Sequence, residues 1–570
     1  MKAWARILLL LLASGVVCPG QEPAEFKTVR LASISFVPVK WDKESNWKKL
    51  EAMCRQAAGQ GARILVAPEG ILEGYLINEV LRSKDRPQID RRFFDISETR
   101  EGPYVSKIRA LARELKVHLV FGYSEREGGL IYGSAMWVGP DGQVLHNHRK
   151  THLAEDYFDP GFYHPGWEIK AFDTEFGRMG MMICYERQVP EVARALAVDG
   201  ARFIVAPSYG SRGEWNDIMM RTRARENGAG MVFCHPEQSL ITDHRGGVLV
   251  NQAAEGVAIT DVRIMQGNWD GMRLRRPEAF AGPLAREQRN QRESRPDRIR
   301  VAAVQMISGH SLAENVRRIQ AYLAQCARQR VRVAVFPECI LTGYYKDEIE
   351  RYTEKELLAA EEEIAASCRD NRIYAVIGTP AFIDGQRHNT ALVISPKGER
   401  IYRQAKIQLV GGDMPWARAG NRLAVFRVDD IVCSLIICHD SRYPELVRLP
   451  VMKGARLVFY ISWESGIRAE SKMDPYRAQV QARAVENNVY IVHANAPQRL
   501  QPQMEGSHGQ SRIVDPGGNL MREASMLEEE VLIADLDMSR ATGDTAIKSG
   551  RADFLKGFWQ SGLAQIGEVP

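Results

Sequence analysis

Three side-chain types that can perform acyl chemistry together occur twice in this chain, in the same order. A cysteine thiol attacks a carbonyl carbon only as its thiolate, so it needs a neighbouring base or positive charge. A glutamate can take the thiol proton, and a lysine can donate hydrogen bonds to the oxyanion that forms. The six candidate catalytic residues are Glu69, Lys150, Cys184, Glu338, Lys406 and Cys438. This pattern predicts a thiol nucleophile with an acid–base partner in each half of the chain.

The sequence around these residues is an internal duplication. ARILVAPEGILEGY at 62–75 is repeated as VRVAVFPECILTGY at 331–344, and the two glutamates are 269 positions apart (338 − 69). In the same order, HRKTHL is answered by RQAKIQL, MMICYERQVPEVAR by LIICHDSRYPELVR, and RARENGAGMVF by RAVENNVYIV. A lone cysteine, glutamate or lysine is better interpreted as a packing or surface residue. The repetition of all three in matching frames favours catalysis.

Buried strands and turns are predicted to position these side chains. Each glutamate ends an apolar strand after a proline, where burial should raise its pKa toward that of a general base. An apolar strand also ends at each cysteine, and the polar turn that follows leads into a helix, whose N–H groups can lower a thiol pKa and hold an oxyanion. Each lysine follows the second arm of a hairpin, with the turn GPDG at 139–142 or SPKG at 395–398.

The predicted element order is the same in both copies. VRLASISF at 29–36 alternates as a strand, and a helix is predicted from about Asn46 to Ala58, with Leu50, Met53 and Ala57 at helical spacing. Copy two has IRVAAVQM and then apolar residues at helical spacing, which are Val316, Ile319, Leu323 and Ala327. Strands mixed with helices and hairpins indicate an α/β (α+β) protein, with a two-sheet core in each copy and helices outside.

Length, composition and net charge exclude few classes of protein. A chain of 570 residues is too long for one core, and two domains of about 240 residues fit its length. Hydrophobic content of 45% and charged content of 26% are ordinary for a globular protein. A net charge of +5, with no basic stripe interleaved with aromatic residues, gives no case for a nucleic-acid partner.

The first 20 residues predict a secretory signal peptide, and therefore a secreted or periplasmic protein. MKAWARILLLLLASGVVCPG has a basic start, an apolar run and small residues near a plausible cleavage site at Gly20. The apolar run is shorter than the roughly 20 residues of a membrane span, so no integral membrane segment is expected after cleavage. An uncleaved interfacial anchor and a lipidated Cys18 are the alternatives. The other cysteines are predicted to be mostly buried free thiols.

Five segments are predicted along the chain. They are the signal peptide at 1–20, domain one at 26–272, an Arg-rich linker at 273–297, domain two at 298–540 and a C-terminal tail at 541–570. The linker has few apolar residues and no periodicity after Leu284, so solvation is the simpler interpretation of its charge.

Both copies resemble the nitrilase, or carbon–nitrogen hydrolase, family. The resemblance rests on Pro-Glu at the first strand tip, the K-x-x-L step, the I-C-[YH]-[ED] strand end with Pro-Glu after it, and R-A-x-E-N downstream. It implies two tandem α-β-β-α sandwich domains. It also implies a Glu-Lys-Cys triad in each, namely Glu69, Lys150 and Cys184, then Glu338, Lys406 and Cys438.

The resemblance further implies an amidase or N-carbamoyl hydrolase that acts on small molecules through a Cys thioester, with no metal or organic cofactor, and residues 1–20 add the expectation that it is exported. The alternatives are an N-acyltransferase that uses the same thioester, or one active copy beside a structural copy. Because the family commonly dimerises through like faces, an intramolecular pseudo-dimer or a further homo-oligomer is expected.

Candidate substrate-binding residues follow each cysteine. The backbone N–H groups of Tyr185 and His439 are candidates for the oxyanion, and Arg187 and Arg442 are candidates for a substrate carboxylate. The competing interpretation pairs these arginines with the glutamates at helix starts, Glu191 and Glu445.

Many family members carry a further glutamate between the lysine and the cysteine. Glu155 is the nearest candidate in copy one, whereas copy two offers Asp413 and no glutamate. The histidines at 146, 148 and 152 could mimic a metal site, but the matching stretch of copy two has none, so no metal is predicted.

Overall fold

The computed structural model describes residues 25–154, 163–267, 298–309, 311–344, 346–464, 470–499, 505–549, 563 and 566–568. The predicted signal peptide, the linker and Glu155 lie outside these ranges. Within them, no helix combines the length and the apolar character that a membrane crossing needs.

Copy one contains two six-stranded sheets. The first consists of β1 (Phe26–Ser35), β2 (Ile64–Val66), β3 (His118–Glu127), β4 (Leu130–Val138), β5 (Val144–Arg149) and β12 (Gly256–Met265). Its spatial order is β12-β1-β2-β3-β4-β5, with β1, β2 and β3 parallel to one another. The second consists of β6 (Phe172–Thr174), β7 (Gly177–Met181), β8 (Phe203–Pro207), β9 (Gly230–His235), β10 (Gln238–Thr242) and β11 (Val248–Gln252), in the order β11-β10-β9-β8-β7-β6.

Helices cover the outer face of each sheet in copy one. They are α1 (Lys43–Gly59), α2 (Ile77–Arg82), α3 (Arg86–Ile96), α4 (Pro103–Leu115), α5 (Pro190–Val198) and α6 (Glu214–Asn227). Helix α1 contains the predicted 46–58 segment and starts earlier because the Asp42 side chain accepts a hydrogen bond from Ser45 N, which caps the helix. Its buried face, with Leu50, Cys54 and Ala57, packs on the first sheet.

The layers of copy one are joined by separate apolar clusters. One cluster lies between the two sheets and includes Leu31, Val66 and Val205. Two others lie between a sheet and its helices. The result is the predicted α-β-β-α sandwich.

Copy two repeats this architecture. Its first sheet consists of β13 (Arg298–Gln305), β14 (Val333–Val335), β15 (Tyr374–Ile383), β16 (Gln386–Ile394), β17 (Arg400–Ala405) and β26 (Glu530–Asp537), in the order β17-β16-β15-β14-β13-β26. Its second sheet consists of β18 (Leu423–Val428), β19 (Ile431–Ile437), β20 (Leu457–Ser462), β21 (Tyr490–Asn495), β24 (Arg512–Val514), β25 (Leu520–Glu523) and β27 (Ile566–Glu568), in the order β25-β24-β21-β20-β19-β18-β27. A two-stranded ribbon, β22 (Gln498–Arg499) and β23 (Glu505–Gly506), lies apart.

The helices of copy two are α7 (Leu312–Arg328), α8 (Lys346–Arg351), α9 (Glu354–Asn371), α10 (Glu445–Met452), α11 (Glu470–Val485) and α12 (Asp544–Ser549). Single 3₁₀ turns occupy Cys184–Gln188, Cys438–Arg442 and Met538–Arg540. The described part of the C-terminal tail belongs to copy two, because α12 packs on α10 and β27 pairs in parallel with β18.

The two copies contact each other through α6 and α11. Arg223 of copy one pairs with Glu486 of copy two at 2.7 Å, and Arg483 of copy two pairs in turn with Glu226 of copy one. All four side chains are fully buried, and each arginine also pairs with the glutamate three residues after it. Charges buried in this way need partners, and here each carboxylate meets two arginines. The copies therefore form a pair within one chain, whereas association between chains stays a prediction.

The described cysteines are all free thiols, as expected, and all are buried except Cys438, which is partly exposed.

Candidate active site

Each candidate glutamate lies at the tip of the short central strand of the first sheet. β2 and β14 each end three residues before their glutamate, Glu69 or Glu338. A glycine in the next strand makes room for the turn: a Cβ at Gly122 would lie 2.5 Å from Glu69 Cα, and one at Gly378 would lie 2.5 Å from Glu338 Cα. Both carboxylates are buried. The close strand-to-turn contact therefore holds the glutamate backbone in place.

Each candidate lysine immediately follows the last strand of the hairpin, β5 or β17. Lys150 Nζ lies 3.2 Å from Glu69 Oε1, and Lys406 Nζ lies 2.8 Å from Glu338 Oε1. Both lysine side chains are fully buried. Burial would be unfavourable for either charge alone, so these ion pairs fix a carboxylate and an ammonium against one another.

Each candidate cysteine opens a 3₁₀ turn with an unusual backbone. Cys184 has φ +45° and Cys438 has φ +47°. Residues other than glycine rarely adopt this left-handed conformation, and such strain tends to be found at functional sites. The conformation turns the chain sharply after strand β7 or β19. The thiol of Cys184 then accepts hydrogen bonds from Gly210 N at 3.3 Å and Arg187 Nη1 at 3.6 Å.

A buried carboxylate two residues after each cysteine ties the cysteine turn to the lysine segment. Glu186 accepts hydrogen bonds from Ile183 N at 2.7 Å and Thr151 N at 2.7 Å. Asp440 accepts similar bonds from Ile437 N at 3.2 Å and from Gln408 N at 2.7 Å, although Gln408 lies one position further from its lysine than Thr151 does. This residue therefore bridges both sheets, and it sets the position of the cysteine relative to the lysine. The carboxylate is the last residue of the repeated I-C-[YH]-[ED] motif, but an acidic residue at that place did not by itself indicate a bridging role.

The electrostatics of copy two favour a neutral thiol beside a charged lysine. Burial, together with the Glu338 and Glu464 carboxylates, raises the pKa of the Cys438 thiol well above its usual range. Burial also raises the pKa of Glu338. Burial opposes the charge of Lys406, but Cys438, Glu338 and Asp413 together raise its pKa above the ordinary value.

In copy one, burial and the Glu69 carboxylate raise the pKa of the Cys184 thiol, against the opposing effects of Lys150 and Arg187. In both copies the resting thiol therefore keeps its proton, and a base must remove it during the reaction.

Asp413 joins the site of copy two directly. Its Oδ2 lies 2.8 Å from Lys406 Nζ, and its Oδ1 accepts hydrogen bonds from Asn389 Nδ2 at 3.0 Å and from the Tyr344 hydroxyl. Asn389 Nδ2 also donates to Glu338 Oε1 at 2.7 Å. Copy two thus holds a second carboxylate on its lysine, although the residue is an aspartate. The corresponding candidate of copy one, Glu155, lies outside the described residues.

The two arginines after the cysteines have different surroundings. Arg187 is buried and donates to Cys184 O at 2.5 Å, Asn216 Oδ1 at 2.5 Å and Ser211 O at 2.6 Å. Arg442 matches Gln188 in copy one rather than Arg187, and its guanidinium lies 6.0 Å from the Tyr476 ring. Their role in binding a carboxylate stays a prediction.

Both helix-start glutamates have ion-pair partners in the other copy. Glu191 pairs across the interface with Arg448 at 3.1 Å, and Glu445 pairs with Arg194 at 3.7 Å. The local pairing of Arg187 and Arg442 with these glutamates stays a prediction. The backbone N–H groups of Tyr185 and His439 follow the cysteines in the turn, and their role toward an oxyanion also stays a prediction.

The histidines of copy one make ordinary packing and hydrogen-bond contacts. His148 Nε2 lies 2.8 Å from Glu186 Oε2, and the His146 ring stacks on Phe172 with centroids 4.9 Å apart. His152 Nδ1 bonds the Thr151 hydroxyl at 2.9 Å. Burial lowers the pKa of His146 and His152 to about 4. The described part of the chain holds no group of three or more His, Cys, Asp or Glu placed to bind a metal.

A cavity of about 410 Å³ lies at the loop after β8 in copy one, and none of Glu69, Lys150 and Cys184 lines it. Its lining includes Tyr209, Gly210 and Ser211 from the loop after β8, and His235 and Glu237 from the end of β9. Gly210 is also the residue whose N–H reaches the thiol. The cavity has room for a small molecule and is separated from the Cys184 thiol by the Gly210 backbone.

The family model for carbon-nitrogen hydrolases matches residues 29–266 and 300–544. The chain belongs to the carbon–nitrogen hydrolase family. It is a tandem member, since the two matches together span most of its length.

Curated relatives of this tandem carbon–nitrogen hydrolase include a citrullinase from Francisella tularensis, 26% identical over 41% of this chain and 91% of the relative. A nitrilase from Pyrococcus abyssi is 32% identical over 32% of this chain and 64% of its own length. Among solved structures, an amidase from Nesterenkonia sp. AN1 is 24% identical with a TM-score of 0.41, and covers 47% of this chain and 98% of its own. Nit3 from Saccharomyces cerevisiae, of the nitrilase superfamily, is 24% identical with a TM-score of 0.40, and covers 43% and 92%.

Several residues around the two sites of this hydrolase were not singled out from sequence. Asn389 and Tyr344 contact the carboxylates of copy two, and Glu464 lies beside Cys438. Only Glu464 had a signal, because it replaces Gly210 at the matching position of the duplication. A difference between copies next to the nucleophile could have marked it.

Proposed function

We propose that this chain is an exported thiol hydrolase that cleaves the non-peptide C–N bond of small amides or N-carbamoyl compounds, with one Glu-Lys-Cys site in each copy. The observation that carries the proposal is the pairing of a buried lysine with a buried glutamate in both copies, beside a cysteine held at positive φ. Two copies with the same strained arrangement favour retained chemistry over a packing role.

In the first half-reaction, the glutamate takes the thiol proton while the sulfur attacks the amide carbonyl carbon. A C–S bond forms, and the carbonyl electrons move to oxygen, where the lysine and the N–H of the residue after the cysteine stabilise the oxyanion. The glutamate then returns the proton to nitrogen. The C–N bond breaks, ammonia or an amine leaves, and a thioester remains.

In the second half-reaction, the same glutamate takes a proton from water, and the oxygen attacks the thioester carbon. The C–S bond breaks, and the thiol regains its proton as the carboxylic acid leaves. The sum is amide plus water giving acid plus ammonia or amine, with no oxidant or further reactant.

The raised thiol pKa supports this order of events. Burial keeps the proton on Cys184 and Cys438, so thiolate is formed only when the glutamate takes that proton. In copy one, the Arg187 guanidinium at 3.6 Å from the sulfur favours the thiolate as it forms.

The relatives guide the choice of test substrates. One curated relative is named a citrullinase, so citrulline joins simple aliphatic amides and N-carbamoyl amino acids in the first set. Export is part of the proposal through the sequence of residues 1–20 alone.

The test is intact mass spectrometry and ammonia release on the full chain, for wild type, Cys184→Ser and Cys438→Ser. The expected result is an acyl adduct on wild type whose added mass is that of the substrate less the ammonia or amine that leaves, with the adduct lost at one site in each variant. Added hydroxylamine separates transfer to an amine from hydrolysis, because an acyltransferase gives hydroxamate in preference to acid. Wild type that forms no adduct and releases no ammonia from any of these compounds would refute the proposal. The same spectrum reports whether residues 1–20 are removed on secretion.

A further inference from the structure

The thiol of copy two faces a buried carboxylate that copy one does not have. Glu464 occupies the position of Gly210, where a Cβ would lie 2.9 Å from the Cys184 sulfur. In copy two the Tyr460 hydroxyl lies 3.3 Å from Cys438 O and 2.6 Å from Glu464 Oε1, so the Glu464 carboxylate lies near Cys438. Consistent with this, burial and the carboxylates of Glu338 and Glu464 raise the pKa of the Cys438 thiol.

Glu464 has no basic Lys or Arg partner among the described residues. Its Oε1 accepts a hydrogen bond from the Tyr460 hydroxyl at 2.6 Å. Its Oε2 is buried, and His508 Nε2 lies 3.3 Å away without the alignment of a hydrogen bond. Burial lowers the pKa of His508, so the ring is a weak source of positive charge. The charge of the buried Arg512 guanidinium also acts on Glu464, but the ion pair of Arg512 is with Glu523 at 3.6 Å. A carboxylate only 3% exposed, with no Lys or Arg ion pair among the described residues, is stabilised when a ligand supplies a cation.

Two arginines of the same cluster lack a carboxylate partner in the described part of the chain. Arg442 follows the cysteine turn, and its buried Nε has no hydrogen-bond partner there. Arg225 comes from copy one. Its guanidinium lies 4.0 Å from the Tyr476 ring of copy two, and its Nε is likewise buried without a partner.

These charged groups lie near one another. Burial and then the Arg442 guanidinium lower the pKa of Arg225 to about 10, and Glu464 opposes that change. Burial, Arg442, Lys406 and Arg225 lower the pKa of His439, the residue after the cysteine. The Tyr476 and His508 rings lie 5.9 Å apart and connect the arginines to Glu464. An unpaired anion and two unpaired cations thus lie around the residue that carries the thiol.

Copy one lacks all three charges at the matching positions. Gly210 replaces Glu464 and Gln188 replaces Arg442, while Val485 of copy two stands where Arg225 stands in copy one. The charged cluster is therefore specific to copy two, and copy one completes it by contributing Arg225.

We propose that the site of copy two binds a zwitterionic small amide, an amino-acid-like molecule that carries both an ammonium and a carboxylate. Glu464 receives the ammonium, and Arg225 and Arg442 receive the carboxylate, so that the amide carbon faces Cys438. Arginine suits the carboxylate because its planar guanidinium forms paired hydrogen bonds. The assignment rests on the hydrolase activity proposed above.

Four matched amides test the charge preference. Glutamine carries both charges, 4-aminobutanamide only the ammonium, glutaramic acid only the carboxylate, and butanamide neither. In the Cys184→Ala protein, only the site of copy two keeps its candidate nucleophile. We expect its kcat/KM for glutamine to exceed that for butanamide about tenfold or more, mainly through a lower KM. The Cys438→Ala protein, in which only the copy one site keeps its cysteine, should show no gain in kcat/KM from the ammonium, because Gly210 stands where Glu464 does.

Charge variants then separate binding from folding. In the Cys184→Ala background, Glu464→Gln should lower kcat/KM for the two ammonium-bearing amides about tenfold relative to the two without it. Arg442→Met and Arg225→Met should lower kcat/KM for the two amides that bear a carboxylate, relative to the two that do not. Glu528→Gln, an exposed carboxylate of copy two, is the control. A uniform loss on all four amides, or a glutamine rate no better than butanamide, overturns the inference while leaving the hydrolase function intact.

Calorimetry with glutamine on the Cys184→Ala/Cys438→Ala protein gives a readout independent of turnover. Binding that weakens with Glu464→Gln supports the inference even if no amide is hydrolysed, and in that case it is the proposed activity of copy two that fails. Absence of glutamine binding overturns the inference.

Discussion

Arg223 of copy one donates through Nη2 to Glu486 Oε2 of copy two at 2.7 Å, and both side chains are fully buried. The same guanidinium donates through Nε to Arg187 O at 2.9 Å, within the cysteine turn of copy one. Arg483 makes the matching bond to Ser441 O at 2.8 Å in copy two. Each cysteine turn is thus braced by an arginine whose charge is balanced partly by the other copy.

Glu486→Gln should therefore impair the site of copy one, although Glu486 lies in copy two. With Cys438→Ser present, so that only copy one is read, we expect ammonia release to fall about tenfold or more as Arg223 shifts. We also expect a stability loss of about 3–5 kcal/mol from the unbalanced arginines. Glu528→Gln is the control. Unchanged kcat together with an unchanged melting temperature would show that the bracing has no effect on copy one.

Alkylation of the two candidate nucleophile thiols should depend steeply on pH. Burial raises the thiol pKa of Cys184 and of Cys438 above the ordinary value of 9.0, so the thiolate fraction increases about tenfold per pH unit through the neutral range. Peptide mass spectrometry after short iodoacetamide pulses would measure the rate at each site. Cys234, fully buried with a pKa raised by burial to about 12, should be labelled only after unfolding. A rate that levels off below about pH 8 at either site would contradict the raised pKa.

Asp413→Asn tests the second carboxylate on Lys406. Removing this charge takes away one of the groups that raise the pKa of Lys406, and it also breaks the contact at 2.8 Å. We expect kcat of copy two, measured in a Cys184→Ser background, to fall about 10²-fold, with partial recovery in Asp413→Glu. Asp430→Asn, an exposed carboxylate of the same copy, should have no effect. Equal rates for Asp413→Asn and the parent would remove Asp413 from the site.

The matched carboxylates Glu186 and Asp440 should give opposite pH dependences of stability. Burial opposes the charge of Glu186, but His148 and hydrogen bonds hold its pKa at about 2. Its folded pKa is below the unfolded one, so its contribution is present above about pH 4.5 and is lost as pH falls toward 2. Burial raises the pKa of Asp440 to about 7. Its contribution is present below about pH 4 and is lost as pH rises through 7.

Denaturant unfolding of Glu186→Gln and Asp440→Asn would measure this difference. Glu186→Gln should cost on the order of 3 kcal/mol near neutral pH and much less near pH 3. Asp440→Asn should flatten the decline in stability between about pH 5 and 8. Identical pH profiles for the two variants would refute the difference in environment.

The duplication predicted the sandwich fold well, because strand and helix periodicity are local properties that each copy repeats. It could not predict the partners of charged side chains. Glu191 and Glu445 were weighed against arginines near them in sequence, yet they pair across the interface with Arg448 and Arg194. Such pairs depend on how the copies pack, which no local pattern encodes. Asp413 was visible only as a departure from the family pattern, and its contact with Lys406 required the loop geometry.

Covalent linkage of the two copies has a consequence for how this protein can change over time. In a dimer of identical chains, a substitution in α6 would alter both halves at once, so both pockets would gain or lose the same group. Here the codon for Arg225 and the codon for Val485 vary separately, although the two residues hold matching places. One copy can therefore contribute a side chain to the site of the other copy while the reciprocal position holds a different residue. The two sites can diverge in specificity while they share one stable interface.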